Sequence, residues 1–304
     1  MRRYVLFLLV LTAWPSTARA AFTFTPGHYY STTPQPGMRT ILEYAPDGTI
    51  VGSLDVAPSA ADELRGIAFG PDGLLYVTTP RGNGFAVLAL DAAGTIRQTY
   101  TADAPYLGNT SMGKLVVDRG NVYVAAAVVS KFRVGAPESG ESIYSPAAYE
   151  VGVLPSGNLL VPVASNVYEI TPTGQTVHTI QARPNVHDIR GAAYDPATDK
   201  LFVADYGSSA DPYAIRRINM ATGEVEKSVQ YTYGDDVFLT AEGNLLVGSR
   251  TLAPRLYSHD LELLDTLDGA ERMFVTQYVP EPGALWGVGA LFGALLLRHR
   301  APKD

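Results

Sequence analysis

Apolar and polar positions alternate along most of this chain with a period of two, and the alternating runs come in pairs joined by short turns. One pair recurs five times, at Gly66–Val77, Gly113–Val124, Tyr149–Val161, Gly191–Val203 and Asp236–Val247. Each copy reads as apolar residues, a turn and an apolar-aromatic strand, as in Gly66-Ile-Ala-Phe-Gly-Pro-Asp-Gly-Leu-Leu-Tyr-Val77. The turn positions Gly73, Gly120, Gly157, Asp199 and Gly243 lie 47, 37, 42 and 44 residues apart. A second pair sits between these copies, at Ile41–Val51, Val87–Ile96, Val167–Val177 and Ile215–Val225. Pro-Asp-Gly and Thr-Gly supply the preset φ and the positive-φ site that a hairpin turn needs. The flanking β-branched and aromatic residues suit half-buried strands.

Two hairpins per repeat make four strands, the size of one blade of a β-propeller. The pattern predicts an all-β fold, a six-bladed β-propeller, with blades at 41–79, 85–127, 128–164, 166–205, 214–250 and 254–279. The last holds three evident strands, Arg255–His259, Leu261–Leu267 and Arg272–Tyr278. The segment His28-Tyr-Tyr-Ser-Thr-Thr33 is expected to pair with it, closing the ring and removing an exposed edge. Val128–Ser145 shows no clear first hairpin. A β-sandwich or a parallel β-helix is the competing architecture.

The two ends do not share this pattern. Met1-Arg2-Arg3, the apolar run Tyr4–Trp14 and Ala18-Arg19-Ala20 read as a signal peptide over 1–20, addressed to the export machinery and signal peptidase. At the other end stands Val279-Pro280-Glu281-Pro282, extended because proline fixes φ and lacks a donor. Gly283–Leu297 follows without a charge. As a helix it would span about 22 Å, short of a ~30 Å hydrocarbon core, and so make a marginal anchor. Arg298, Arg300 and Lys303 then act as a stop-transfer end under the positive-inside rule. The propeller is thus expected over 21–278 and the tail over 279–304. Without the two ends, 17 basic and 28 acidic residues remain, a net charge of −11. Such a surface repels phosphate backbones and argues against a nucleic-acid partner. With no cysteine in the chain, disulfides, a thiol nucleophile and a thiolate metal site are excluded.

The layout of 279–304 resembles the PEP-CTERM sorting tail of bacterial exported proteins. That resemblance implies recognition by an exosortase-like membrane transpeptidase, transient anchoring in the inner membrane, and a final place at the cell surface or outside the cell. The run Arg190-Gly-Ala-Ala-Tyr-Asp-Pro-Ala-Thr-Asp-Lys-Leu-Phe-Val-Ala-Asp-Tyr-Gly207 resembles the repeat of NHL and gluconolactonase-type six-bladed propellers. Enzymes of the latter kind use a metal to polarise a lactone carbonyl and activate water.

With strands a to d running from the inside of a blade outward, the a–b and c–d turns share one face. The longer b–c and d–a loops share the other, where a site is expected. Polar residues recur just before the predicted c strands: Asp62, Glu63 and Arg65; Asn109; His187, Asp188 and Arg190; Asp235 and Asp236; Glu271 and Arg272. The predicted d–a loops add Arg81, Asp205, Asp211 and Arg250. Glu63, Asn109, His187, Asp188, Asp205, Asp235, Asp236 and Glu271 are the candidate ligands, since oxygen donors converging near an axis would hold Ca²⁺ or another divalent cation. Equally, these residues would cap strand ends and pair with neighbouring arginines. There is no H-E-x-x-H, no G-x-S-x-G and no phosphate loop. Tyrosines at Tyr29-Tyr30, Tyr144/Tyr149 and Tyr231/Tyr233 would either stack on sugar rings of an envelope polysaccharide or fill amphipathic strands. The favoured function is an exported binding or scaffold module. A metal-dependent hydrolase of the gluconolactonase type is the alternative, and a purely structural surface protein the third reading.

Overall fold

The computed structural model describes residues 23–279 except 34, 58–62, 83, 103–112, 183–185, 208–212 and 270–271. The signal segment 1–20 and the tail from Pro280 onward therefore lie outside the described residues. Among those described there is no helix, and so none long and apolar enough to cross a membrane.

The described strands form six four-stranded antiparallel sheets, arranged as the blades of a propeller. Blade 1 is β4 (Ile67–Phe69), β5 (Leu75–Arg81), β6 (Gly84–Leu90) and β7 (Ile96–Ala102). Blade 2 is β8 (Leu115–Asp118), β9 (Asn121–Ala125), β10 (Val129–Arg133) and β11 (Ala136–Tyr144). Blade 3 is β12 (Gly152–Val153), β13 (Leu159–Val163), β14 (Asn166–Ile170) and β15 (Thr176–Gln181). Blade 4 is β16 (Ile189–Asp195), β17 (Lys200–Asp205), β18 (Ala214–Asn219) and β19 (Val225–Gln230). Blade 5 is β20 (Gly234–Leu239), β21 (Leu245–Ser249), β22 (Arg255–Tyr257) and β23 (Leu263–Thr266). Blade 6 joins the two ends of the body: β24 (Phe274–Gln277) is its inner strand, followed by β1 (Tyr29–Thr32), β2 (Thr40–Tyr44) and β3 (Ile50–Asp55).

All the hairpins except β10–β11 are those predicted, but their grouping into blades is shifted by two strands. Each expected blade combined the outer hairpin of one true blade with the inner hairpin of the next. The segment 254–279 is accordingly not a blade: β22 and β23 complete blade 5, and β24 alone crosses to the N-terminal strands. The expected closure survives in the pairing of Tyr29, Tyr30, Ser31 and Thr32 with Gln277, Thr276, Val275 and Phe274. Val128–Ser145, where no hairpin was evident, forms β10 and β11, whose register is broken at two points. Those irregularities explain why its alternation is hard to read.

Period-two alternation sends neighbouring side chains of a strand to opposite blades. Tyr76 packs toward Leu115 and Phe132 of blade 2, whereas Leu75 and Val77 pack toward Phe274 of blade 6. Each of the six hydrophobic clusters fills one of the six interfaces between adjacent blades, so the core is a ring of interfaces rather than a single centre. Close approach between blades sets some turn residues. Gly174 has φ +85, and a Cβ there would lie 1.6 Å from the Ile143 carbonyl oxygen. In blade 4 the turn uses Asp199 at φ 56 where the other copies have glycine, a conformation aspartate tolerates better than most residues.

The inner strands surround the axis. A cavity of ≈ 200 Å³ runs along it, walled by Ile67, Leu115, Val153, Val237 and Val275 and bordered by Lys114, Glu150 and Asp236. A wider one of ≈ 480 Å³ includes Phe69, Pro71, Phe238 and Val279, by the a–b turns.

Candidate functional site

Every inner strand enters from the loop face, so the residues just before or at its start stand around the axis. The shift of blade frame therefore moves the polar residues expected before c strands to the beginnings of a strands, the innermost positions. Each blade contributes at least one buried charge there: Arg65 with Glu63, Lys114, Glu150, Arg190, Asp236 with Asp235, and Arg272. Lys114 Nζ donates to Glu150 Oε2 and pairs with Asp236 Oδ1, linking blades 2, 3 and 5. The Val275 N–H donates to Asp236 Oδ2 at 2.8 Å, and the Val151 N–H to Glu150 Oε1 at 3.0 Å. Burial pushes the Lys114 amine down in pKa, with Asp236 resisting. Burial likewise pushes the Asp236 carboxyl up, with Lys114 resisting.

Asp205, at the end of β17, has the density of bonds of a loop anchor. Its Oδ1 accepts the backbone N–H groups of His187 (3.1 Å), Asp188 (3.2 Å) and Gly207 (3.0 Å). Its Oδ2 accepts Arg216 Nε at 2.8 Å. This carboxylate fixes His187 and Asp188, just before β16, against the end of β17. Asp188 then holds Arg190 through Oδ2, at 3.2 Å from Nε and 3.1 Å from Nη2. Asp235, wholly buried, receives Arg250 Nε at 2.8 Å and lies 3.9 Å from Arg190 Nη1.

Upon these anchored groups rests a cluster of aromatic rings. Tyr206 leaves the end of β17, Tyr213 precedes β18, and Tyr233 precedes β20. Their ring centroids are 4.6 Å apart for Tyr206–Tyr213, 5.6 Å for Tyr206–Tyr233 and 4.4 Å for Tyr213–Tyr233. All three are half-buried. The Arg190 guanidinium lies 3.7 Å from the Tyr206 centroid and 4.9 Å from that of Tyr149, and Arg250 lies 5.8 Å from Tyr206. Hydrogen bonds with Tyr206 and Tyr233 push the Tyr213 phenol up in pKa, so it stays protonated through the neutral and mildly alkaline range.

Among the described residues the candidate ligands do not form one donor set. Asn109 and Glu271, like Asp62 and Asp211, lie outside the described residues. Glu63 is held by Arg65, and Asp188, Asp205, Asp235 and Asp236 each face a cationic side chain. Among the described residues no three His, Asp or Glu side chains come together as metal ligands would. His187 and Asp188 do not act as a side-chain pair: His187 is exposed, and it is the backbone of both that engages Asp205. Arg81 is exposed at the end of β5. Val279 is exposed, and Pro280, Glu281, Pro282, Arg298, Arg300 and Lys303 lie outside the described residues.

Of the expected tyrosine groups, Tyr29, Tyr30 and Tyr231 are core residues, 4%, 0% and 1% exposed. Tyr144 packs on Tyr168 at 6.1 Å between blades 2 and 3. Only Tyr149 and Tyr233 reach the loop face. Tyr206 and Tyr213, which complete the cluster, were not singled out from the sequence. A signal existed: both border the long b–c connection of blade 4, in the run Asp205-Tyr-Gly-Ser-Ser-Ala-Asp-Pro-Tyr213.

No family model matches this chain, and no curated protein matches its sequence. Among solved structures it is similar to a protein of unknown function from Bacteroides caccae. The TM-score is 0.59 at 15% identity, covering 83% of this chain and 98% of that one. It is also similar to a chain in a nidogen/laminin complex, with TM-score 0.60, 15% identity and coverage of 82% and 97%. A third likeness is to the WD40 β-propeller domain of Doa1, with TM-score 0.55, 12% identity and coverage of 79% and 87%. At such identities the likenesses establish the propeller fold and carry no activity with them.

Proposed function

We propose that this protein is an exported, non-catalytic binding module that holds an extracellular polysaccharide on its loop face. The observation that carries the reading is the Tyr206–Tyr213–Tyr233 cluster, seated on anchored Arg190 and Arg250 near the propeller axis. Aromatic rings beside fixed hydrogen-bonding groups suit a ligand with apolar faces and polar edges. Their supports are strand ends and paired charges, so little ordering remains to be done on binding. The signal-like N-terminus and the V-P-E-P tail favour export, handling by an exosortase-like transpeptidase, and residence at the cell surface or in the extracellular matrix. Envelope polysaccharide is the polymer within reach there.

The gluconolactonase-type hydrolase draws less support from the site. Its carboxylates are committed to Arg65, Lys114, Arg190, Arg216 and Arg250, or to backbone N–H groups. Removing them would loosen the face before it opened a metal site. Co-sedimentation tests the proposal. Full-length protein in detergent is mixed with insoluble envelope polysaccharide and pelleted with and without a chelator. Co-sedimentation unaffected by chelator is expected. Protein left in the supernatant, or released by the chelator, would count against it.

A further inference from the structure

We infer that the Tyr206–Tyr213–Tyr233 face is a subsite for neutral pyranosyl rings, as opposed to acidic sugars or organic cations; the inference rests on reading the loop face as a polysaccharide-binding surface. Three observations select this class.

The first is charge. Both guanidiniums at the site are matched by carboxylates, Arg190 by Asp188 and Arg250 by Asp235. A uronate would therefore meet a face with no net positive charge, on a body whose net charge is −11. An anionic polymer gains nothing there to offset long-range repulsion. A neutral hydroxylated ring does not face that penalty. It can accept from an Arg250 N–H and donate to an Asp188 oxygen, the partly exposed members of the two pairs.

The second is ring spacing. A cage for an ammonium ion needs aromatic faces set apart so that the cation sits between them. Here the centroids are 4.4, 4.6 and 5.6 Å apart, so the rings touch one another and leave no such gap. What remains for a ligand is the outer surface of the cluster, a platform and not a cage. Arg190 already covers Tyr206 at 3.7 Å, which leaves Tyr213 and Tyr233 as the stacking rings.

The third is protonation. Mutual hydrogen bonding holds the Tyr213 phenol above its ordinary range, first through Tyr206 and then through Tyr233. The Tyr213 ring therefore stays neutral through the mildly alkaline range, and adds no charge that would favour an ionic ligand.

Affinity electrophoresis of the full-length protein in detergent tests this, with dextran, mannan or galactan as neutral probes and polygalacturonate or alginate as acidic ones. Retardation by at least one neutral probe is expected, unchanged between about 0.05 and 0.5 M NaCl because no ion pair is made. The double variant Tyr213→Ala/Tyr233→Ala should lose about tenfold in affinity, whereas Tyr213→Phe/Tyr233→Phe keeps the rings and most of the binding. An unchanged thermal midpoint in both variants separates lost binding from lost folding. Retardation by acidic probes alone, abolished by salt, would overturn the neutral-sugar assignment while sparing the polysaccharide reading. Neutral binding untouched by the alanine pair would overturn the assignment to this face. Retardation by no probe at all would remove both.

Discussion

Lys114 reaches from the loop before β8 to Glu150 of blade 3 and Asp236 of blade 5, and it is 3% exposed. Removing one partner of a buried ion cluster is costly because it strands the others in a poorly solvating interior. Lys114→Met is therefore expected to destabilise the fold by about 3–5 kcal/mol, read as a lower urea midpoint. Adding Glu150→Gln and Asp236→Asn to that variant should recover much of the loss, because the stranded charges are gone. A second residue-scale prediction concerns Asp195, at the end of β16. Burial raises its pKa, but hydrogen bonds from the Thr198 hydroxyl and the Ala197 N–H, with His259 beside them, hold it below the ordinary aspartate range. A carboxyl depressed in the folded state stabilises above its unfolded pKa and ceases to as pH falls through the folded one. The urea-midpoint gap between wild type and Asp195→Asn should thus be steady at neutral pH and shrink below about pH 4.

At the scale of elements, blade 6 depends on a pairing between strands from opposite ends of the body. Val275 turns its N–H toward Asp236, so by strand alternation the N–H of Thr276 faces Tyr30 of β1. Thr276→Pro removes that donor where the partner carbonyl is buried, an expected cost of about 1–3 kcal/mol. The thermal midpoint should fall, and exchange of β1 amides should accelerate more than that of β16. All the hairpins but β10–β11 were legible in the sequence, because alternation and glycine-bearing turns are local signals. Their grouping was not: inner and outer hairpins alternate along the chain, and either phase satisfies the same pattern. Link length does not break the tie, because b–c links range from Arg81 to Gly84 up to Asp205 to Ala214 and d–a links from Gln230 to Gly234 up to Asp55 to Ile67. The site was legible only in part for a related reason. Arg190 and Asp235 stood out as recurrent polar positions, but the union of Tyr206, Tyr213 and Tyr233 is made by two loops that meet only in the folded ring, the b–c link of blade 4 and the link from β19 to β20.

For the whole molecule, six interfaces of similar construction share the burial, and none can be lost without opening the ring. Both ends of the body emerge on the turn face beside the axis. There the Gly27 N–H donates to the Tyr278 carbonyl at 2.9 Å, and Phe24 and Tyr278 meet on Phe69 at 5.0 and 4.6 Å. The aromatic platform looks out from the opposite side. A protein held through the chain beyond Val279 and gripping a polymer on its other face would be pulled along β24, nearly lengthwise through the propeller. Antiparallel ladder bonds lie across the strands, so this tension loads every bond between β24 and β1 together, in shear. Tension applied between the two ends, which leave by the same face, would instead peel the pair open from Tyr29 and Gln277. The closure of blade 6 therefore makes the ring mechanically anisotropic: strong to tension along β24 between the two faces, and weak to forces that spread its ends.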